Sequence, residues 1–286
     1  MSIKKPDEIV EVSLVAAEGK AAAPFGRLAV LGFLAGAFIA LAAQGSTMAG
    51  FNLLAGADTY GLGRVLVGSV FTVGLMLVVL AGGELFTGNV LMVGALASRR
   101  IKLSGLLRNW LIVYAFNLLG SVFVAYLIFR SGLLDSGGEM LGAMTVKIAA
   151  GKTALSGEKA FILGILCNWL VCLAVWIAFA ADSVAGKVWG IFFPIWLFVT
   201  SGFEHSVANM YYIPAGLFAK SVQVADGLSY ADRAVADLHL AQSTLDGLTW
   251  GSFFANNLLP VTLGNIVGGG LFVSLAYLYS YRKKAV

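Results

Sequence analysis

The chain has 286 residues, 59% hydrophobic and only 12% charged, with a net charge of +4. A soluble domain of this size carries roughly a quarter charged residues, so an ordinary water-soluble domain is excluded. The basic residues are not gathered into a patch that would bind nucleic acid, and the 35 glycines suit helices that approach closely in lipid.

In chain order, the polar start with Lys4 and Lys5 shows no cleavable signal peptide. Residues 6–22 read as an amphipathic helix. Pro6 and Asp7 suit its first turn, and Ile9, Val10, Val12, Leu14 and Val15 supply apolar positions. It is too polar to span and is expected to lie at the interface or pack under the membrane domain. This divides the chain into an N-terminal segment, 1–25, and a six-span domain, 26–286. The spans are expected at 27–49, 64–97, 106–130, 159–181, 187–220 and 250–281.

Arg99, Arg100, Lys102 and Arg108 crowd the connection between spans two and three. Lys4, Lys5 and Arg27 precede span one, and Arg282, Lys283 and Lys284 follow span six. An even number of spans puts all three groups on one side, which the distribution of Lys and Arg makes cytoplasmic, termini included. The connection between spans five and six, with Asp226, Asp232, Asp237 and Asp246 against Arg233, then faces out. The one between spans three and four is mixed, with Lys147, Lys152 and Lys159 against Asp135, Glu139 and Glu158.

Spans two and five differ from the rest. As single helices they would be about 50 Å long against a hydrocarbon core of about 30 Å. Each carries a polar, Gly-containing stretch: Gly82-Gly83-Glu84-Leu85-Phe86-Thr87-Gly88-Asn89, and Thr200-Ser201-Gly202-Phe203-Glu204-His205-Ser206-Val207-Ala208-Asn209. We read each as one broken helix. The backbone freed at a break must face protein or water, and the half-helix N-termini favour an anion. Glu84, Glu204 and His205 are ionisable groups at membrane depth, where such groups mark a pathway. The glutamates could equally only cap the broken ends. His205 is the sole histidine in any span.

The breaks fall at the second and fifth of six spans, which suggests two halves of three. Asn109, Asn117 and Gly120 in span three share their spacing with Asn257, Asn265 and Gly268 in span six. Leu31-Gly32-x-Leu34 matches Leu163-Gly164-x-Leu166. An odd number of spans per half makes the halves inverted, a pattern of transporters with a midplane site. The asparagines could simply bond between helices, worth about a kcal/mol each. Cys167 and Cys172 read as packing residues. No metal-ligand set or nucleotide motif is present, so neither a metal nor another cofactor is expected. Enzyme chemistry is not expected either, since His205 and Ser206 are sequence neighbours on a helix and do not face each other.

Glu84-Leu85-Phe86-Thr87, Asn168-Trp169-Leu170-Val171-Cys172-Leu173-Ala174-Val175-Trp176, Gly202 to Met210, and Asn257-Leu258-Leu259-Pro260-Val261-Thr262-Leu263-Gly264-Asn265 resemble the formate/nitrite transporter family, with its formate, nitrite and hydrosulfide branches. The resemblance implies an all-α membrane protein. Its six spans form an aquaporin-like protomer in a homo-pentamer, with one pore through each protomer. It also implies that Thr87 lies on the break of span two and His205 at the centre of the pore. Leu75, Phe71 and Phe86 correspond to apolar pore-lining positions on one side, and Phe198 to one on the other. Glu204 and Asn209 correspond to the polar partners holding the second break, and Lys152 and Asn168 to a basic and amide pair drawing the anion in.

The expected function is a cell-membrane channel for small anions of weak acids, formate first, with nitrite and hydrosulfide as alternatives. The anion would take up a proton at His205 and cross the apolar constrictions as the neutral acid. A water or neutral-solute pore is the competing class.

Overall fold

The structure is a computed structural model describing residues 3–223 and 227–281. Asp226, Arg282, Lys283 and Lys284 of the charge pattern lie outside the described residues. Helix α1 is Pro6–Ala22, α2 Phe25–Ala55, α3 Tyr60–Gly82 and α4 Phe86–Ala97. Then follow α5 Leu103–Arg130, α6 Met140–Thr153, α7 Gly157–Ala180, α8 Val184–Ser201 and α9 Ser206–Ala219. Last come α10 Tyr230–Ala236, α11 Gln242–Asp246 and α12 Trp250–Tyr281. Six of these are long and apolar enough to cross a membrane: α2, α3, α5, α7, α8 and α12.

Both expected breaks are present. Residues 83–85 separate α3 from α4, and residues 202–205 separate α8 from α9. Gly82 (φ +99°) and Gly202 (φ +83°) make the turns out of the first half-helices, in a region that only glycine enters cheaply. The two halves pack alike. Helix α2 lies along α5 as α7 lies along α12, and the two broken spans meet where α3 packs on α8. The repeated glycines set that spacing. A Cβ on Gly120 would come within 2.0 Å of the Phe33 carbonyl oxygen, and one on Gly268 within 2.2 Å of that of Ile165.

Helix α1 packs under the six spans. Ile9, Val10, Ser13, Leu14 and Ala17 are buried, and Arg100 donates to Glu11 and Glu18 at 2.6 Å each. The connection between spans three and four holds more than a loop. Its helix α6 dips into the protein, with Leu141 to Val146 all buried.

Candidate permeation pathway

A break at membrane depth leaves backbone groups that lipid cannot satisfy. The repeated asparagines satisfy them. Asn117 Oδ1 accepts from Phe86 N–H at 2.9 Å, and its Nδ2 donates to the carbonyls of Glu84 and Gly32 at 2.9 and 2.7 Å. In the second half Asn265 Oδ1 accepts from Ser206 N–H at 2.9 Å, and its Nδ2 donates to Glu204 and Gly164 carbonyls at 3.0 and 2.8 Å. The match is residue for residue, so interhelical bonding is what these asparagines do, with the breaks as their object.

The carboxylates are matched too. Glu84 Oε2 accepts from Asn89 Nδ2 and from Lys20 Nζ, both at 2.7 Å. Glu204 accepts from Asn209 Nδ2 and from Lys152 Nζ at 2.7 Å each, and from Asn257 Nδ2 at 3.2 Å. Asn109 Nδ2 donates to the Lys20 carbonyl and Asn257 Nδ2 to the Lys152 carbonyl, at 3.1 and 3.0 Å. Lys20 is thus the counterpart of Lys152, and α1 the counterpart of α6. The sequence reading named Lys152 and missed Lys20. The signal was available, because the offset that carries Leu31-Gly32 onto Leu163-Gly164 also carries Lys20 onto Lys152.

Two cavities enter from opposite faces. One, about 320 Å³, opens beside α1 and is lined by Lys20, Arg27, Leu75, Glu84, Leu85 and Lys187. The other, about 440 Å³, is lined by Arg64, Phe71, Lys152, Phe198, Glu204 and His205. Between them lies Thr87, fully buried, with its Oγ1 2.8 Å from His205 Nε2. His205 Nδ1 accepts from Ala208 N–H at 3.0 Å, capping α9. With Nδ1 committed as acceptor, the neutral ring carries its proton on Nε2, facing Thr87.

The structure places the expected residues as follows. Lys152, Phe198, Glu204, His205 and Asn209 line the larger of the two cavities, Leu75 lines the smaller, and Thr87 lies on α4 just after the first break. Three placements change. Phe71 lies on the Phe198 side, its ring edge-on to Phe198 at 5.8 Å, rather than with Leu75. Phe86 turns away from both cavities onto Tyr114 and Trp110, with ring centroids 4.8 and 5.6 Å away. Its neighbour Leu85 lines the cavity with Leu75. Asn168 does not pair with Lys152. Its Nδ2 donates to the backbone carbonyls of Thr87 and Asn265 at 3.1 and 2.7 Å, holding α4 in place.

Two inverted halves, each with a broken helix, surround two cavities that end at a narrow apolar and polar neck. That arrangement defines the protomer of a membrane channel or transporter. The family model described as "Formate/nitrite transporter" matches residues 7–279, and the chain belongs to that family of channels and transporters. It is 43% identical to a "Probable formate transporter" of Methanothermobacter thermautotrophicus, covering 99% of both chains. It is 39% identical to "Formate channel BtFdhC" of Bacillus thuringiensis, covering 99% of this chain and 98% of that protein. It is 38% identical to "Formate channel FocA" of Escherichia coli K12, covering 80% and 78%. Among solved structures, a "Pentameric formate channel with formate bound" superposes with a TM-score of 0.77 at 36% identity, covering 91% of this chain and 98% of that one. An "FNT family ion channel" gives 0.75 at 30% identity, covering 96% and 98%.

Proposed function

We propose that the chain assembles as a homo-pentamer in the cell membrane, each protomer passing small monovalent anions of weak acids, formate first. The observation that carries this reading is the Thr87–His205 contact at the neck, flanked by Phe71 and Phe198 on one side and Leu75 and Leu85 on the other. A bare anion pays heavily to cross such apolar rings, whereas the neutral acid pays little. The anion is drawn in by the lysines of the two cavities and the positive N-termini of α4 and α9. At the neck it accepts from Thr87 and from His205 Nε2–H. A proton that enters from the same bath as the anion makes the neutral acid there, and the acid crosses the next ring and sheds that proton beyond it, while Thr87 and His205 hold the anion by hydrogen bonds and keep their own protons. The similarity to formate channels supports formate over nitrite and hydrosulfide, which are likewise small monovalent anions of weak acids. Lys4, Arg100 and Tyr281 line one cleft, so both ends of the described chain lie on the face that carries Arg100. We assign that face to the cytoplasm.

The test is flux in proteoliposomes of the purified protein, with formate, nitrite and hydrosulfide compared at two pH values beside His205→Ala. Saturating formate flux that rises at the lower pH and changes in the variant supports the reading. Rapid osmotic water movement with no anion flux means a neutral-solute pore instead.

A further inference from the structure

Arg64 on α3 stands outside both the repeat and the sequence motifs. The offset that carries Glu84 onto Glu204 carries Arg64 onto Val184, so the other half has no cation at the matching position. Its half-buried guanidinium donates Nε–H to the Thr200 carbonyl at 3.2 Å and Nη2–H to the Val199 carbonyl. Thr200 Oγ1 donates back to the Arg64 carbonyl at 3.4 Å.

Those two carbonyls end α8, the half-helix that runs up to the second break. Gly202 N–H turns back onto the Phe198 and Val199 carbonyls, so the helix stops there, and residues Val199 to Gly202 line the larger cavity. A helix C-terminus carries roughly half a negative charge in its unsatisfied carbonyls. Unmasked, that charge would face the space through which an anion reaches His205. Glu204, the carboxylate of this cavity, is already paired with Lys152. Lys147, on the same wall, donates to the Leu238 carbonyl at 2.9 Å. Arg64 is the cation that covers the end of α8. On the other face the corresponding end, Leu77–Gly82, is wound as a π-helical turn, and Arg27 and Lys187 line the cavity beside it.

We propose that Arg64 is a positioning residue for the permeating anion: by masking the carbonyl end of α8 it keeps the larger cavity attractive to anions up to the neck. The proposal rests on the anion-channel reading above and adds a residue to it. It affects how readily the cavity fills, not the step at His205.

Formate uptake against concentration in proteoliposomes tests it, with wild type, Arg64→Gln and Arg64→Lys compared at matched pentamer content. Loss of the mask raises the half-saturating formate concentration about two- to tenfold in Arg64→Gln while the maximal rate stays near wild type. Arg64→Lys, which keeps the charge but not the forked donors, restores most of the difference. An unchanged half-saturation in Arg64→Gln overturns the proposal. So does a fall in maximal rate shared by both variants, because a residue that only splices the helix end would behave that way. Should Arg64→Gln fail to assemble, Arg64→Lys decides alone: half-saturation near wild type supports masking by charge, and a tenfold rise overturns it. A wild type that carries none of the three anions overturns the channel reading and this proposal together. A conducting wild type with an indifferent Arg64→Gln overturns this proposal only.

Discussion

Thr87 and His205 come from opposite halves of the repeat and meet through one hydrogen bond, Oγ1 to Nε2 at 2.8 Å. Thr87 sits on α4 just after the first break, and His205 caps α9 just after the second. The Nε2 proton goes to Thr87 Oγ1, which leaves the hydroxyl proton to meet a ligand. The neck thus offers the hydroxyl as it stands, and the imidazole N–H once an anion displaces the Thr87 oxygen from it, from two independently anchored elements. Thr87→Val keeps the shape and removes the hydroxyl. Loss of a hydrogen bond to a charged group costs about 1.5–3 kcal/mol, so formate flux should fall roughly ten- to a hundredfold. An unchanged rate in stopped-flow liposome assays would show that the anion does not bind Thr87.

The two lysine–glutamate pairs differ in depth. The Glu204 side chain is 6% exposed and that of Glu84 12%. Removing one partner of a buried pair costs about 3–5 kcal/mol, because the other charge stays unpaired. Lys152→Met should lower the melting temperature more than Lys20→Met. Adding Glu204→Gln to Lys152→Met should recover stability without recovering flux. Equal melting temperatures for the two single variants would show that Glu204 is wetter than its packing indicates.

Close approach of α12 to α7 depends on a missing side chain. Gly268→Ala places a methyl 2.2 Å from the Ile165 carbonyl oxygen, a backbone atom that cannot swing away. Overpacking of this kind costs about 1–3 kcal/mol. Gly120→Ala should behave alike at the α2–α5 contact. Thermal unfolding in detergent reads both, and a wild-type value for either would mean that the helix pair can slide.

Leu85 and Phe86 are adjacent but face different neighbours, so they separate in a leak assay. Leu85→Ala should raise water permeability by widening the ring that Leu85 forms with Leu75. Phe86→Leu should leave permeability unchanged and affect only packing on Trp110 and Tyr114. Light-scattering measurements on liposomes shrinking under osmotic stress compare the two, and a leak in Phe86→Leu alone would reverse the assignment.

The large features were legible in the sequence because they rest on length and spacing. The over-long spans announced the breaks, and the asparagine and glycine spacing announced the repeat. Helix α6 was not legible. It is short, and most of its side chains are buried whichever way they point, so no apolar stripe marks it. Leu85 was missed for a local reason. It sits in extended backbone at φ −104° and ψ 123°, where successive side chains point to opposite sides. Choosing its neighbour Phe86 therefore selected the wrong side. Lys20 was missed because the repeat was taken to start at the first span, whereas it starts one helix earlier.

That earlier start has a consequence for the two mouths. Helices α1 and α6 hold equivalent lysines but are fastened differently. The segment after α9 covers α6 with Tyr230, Leu238 and Leu248, all buried, and the Tyr230 hydroxyl donates to Asp135. Burial, then Asp135, pushes the Tyr230 phenol up, so it keeps that proton at neutral pH. Among the described residues no such cover lies over α1 at Val15, which is half exposed. Part of its hold comes from Arg100 with Glu11 and Glu18, at 59% and 39% side-chain exposure. Exposed ion pairs contribute little and weaken as salt rises, and buried apolar contacts do not. Salt is therefore expected to loosen α1 more than α6, which gives a protein built of matched halves two unlike ends.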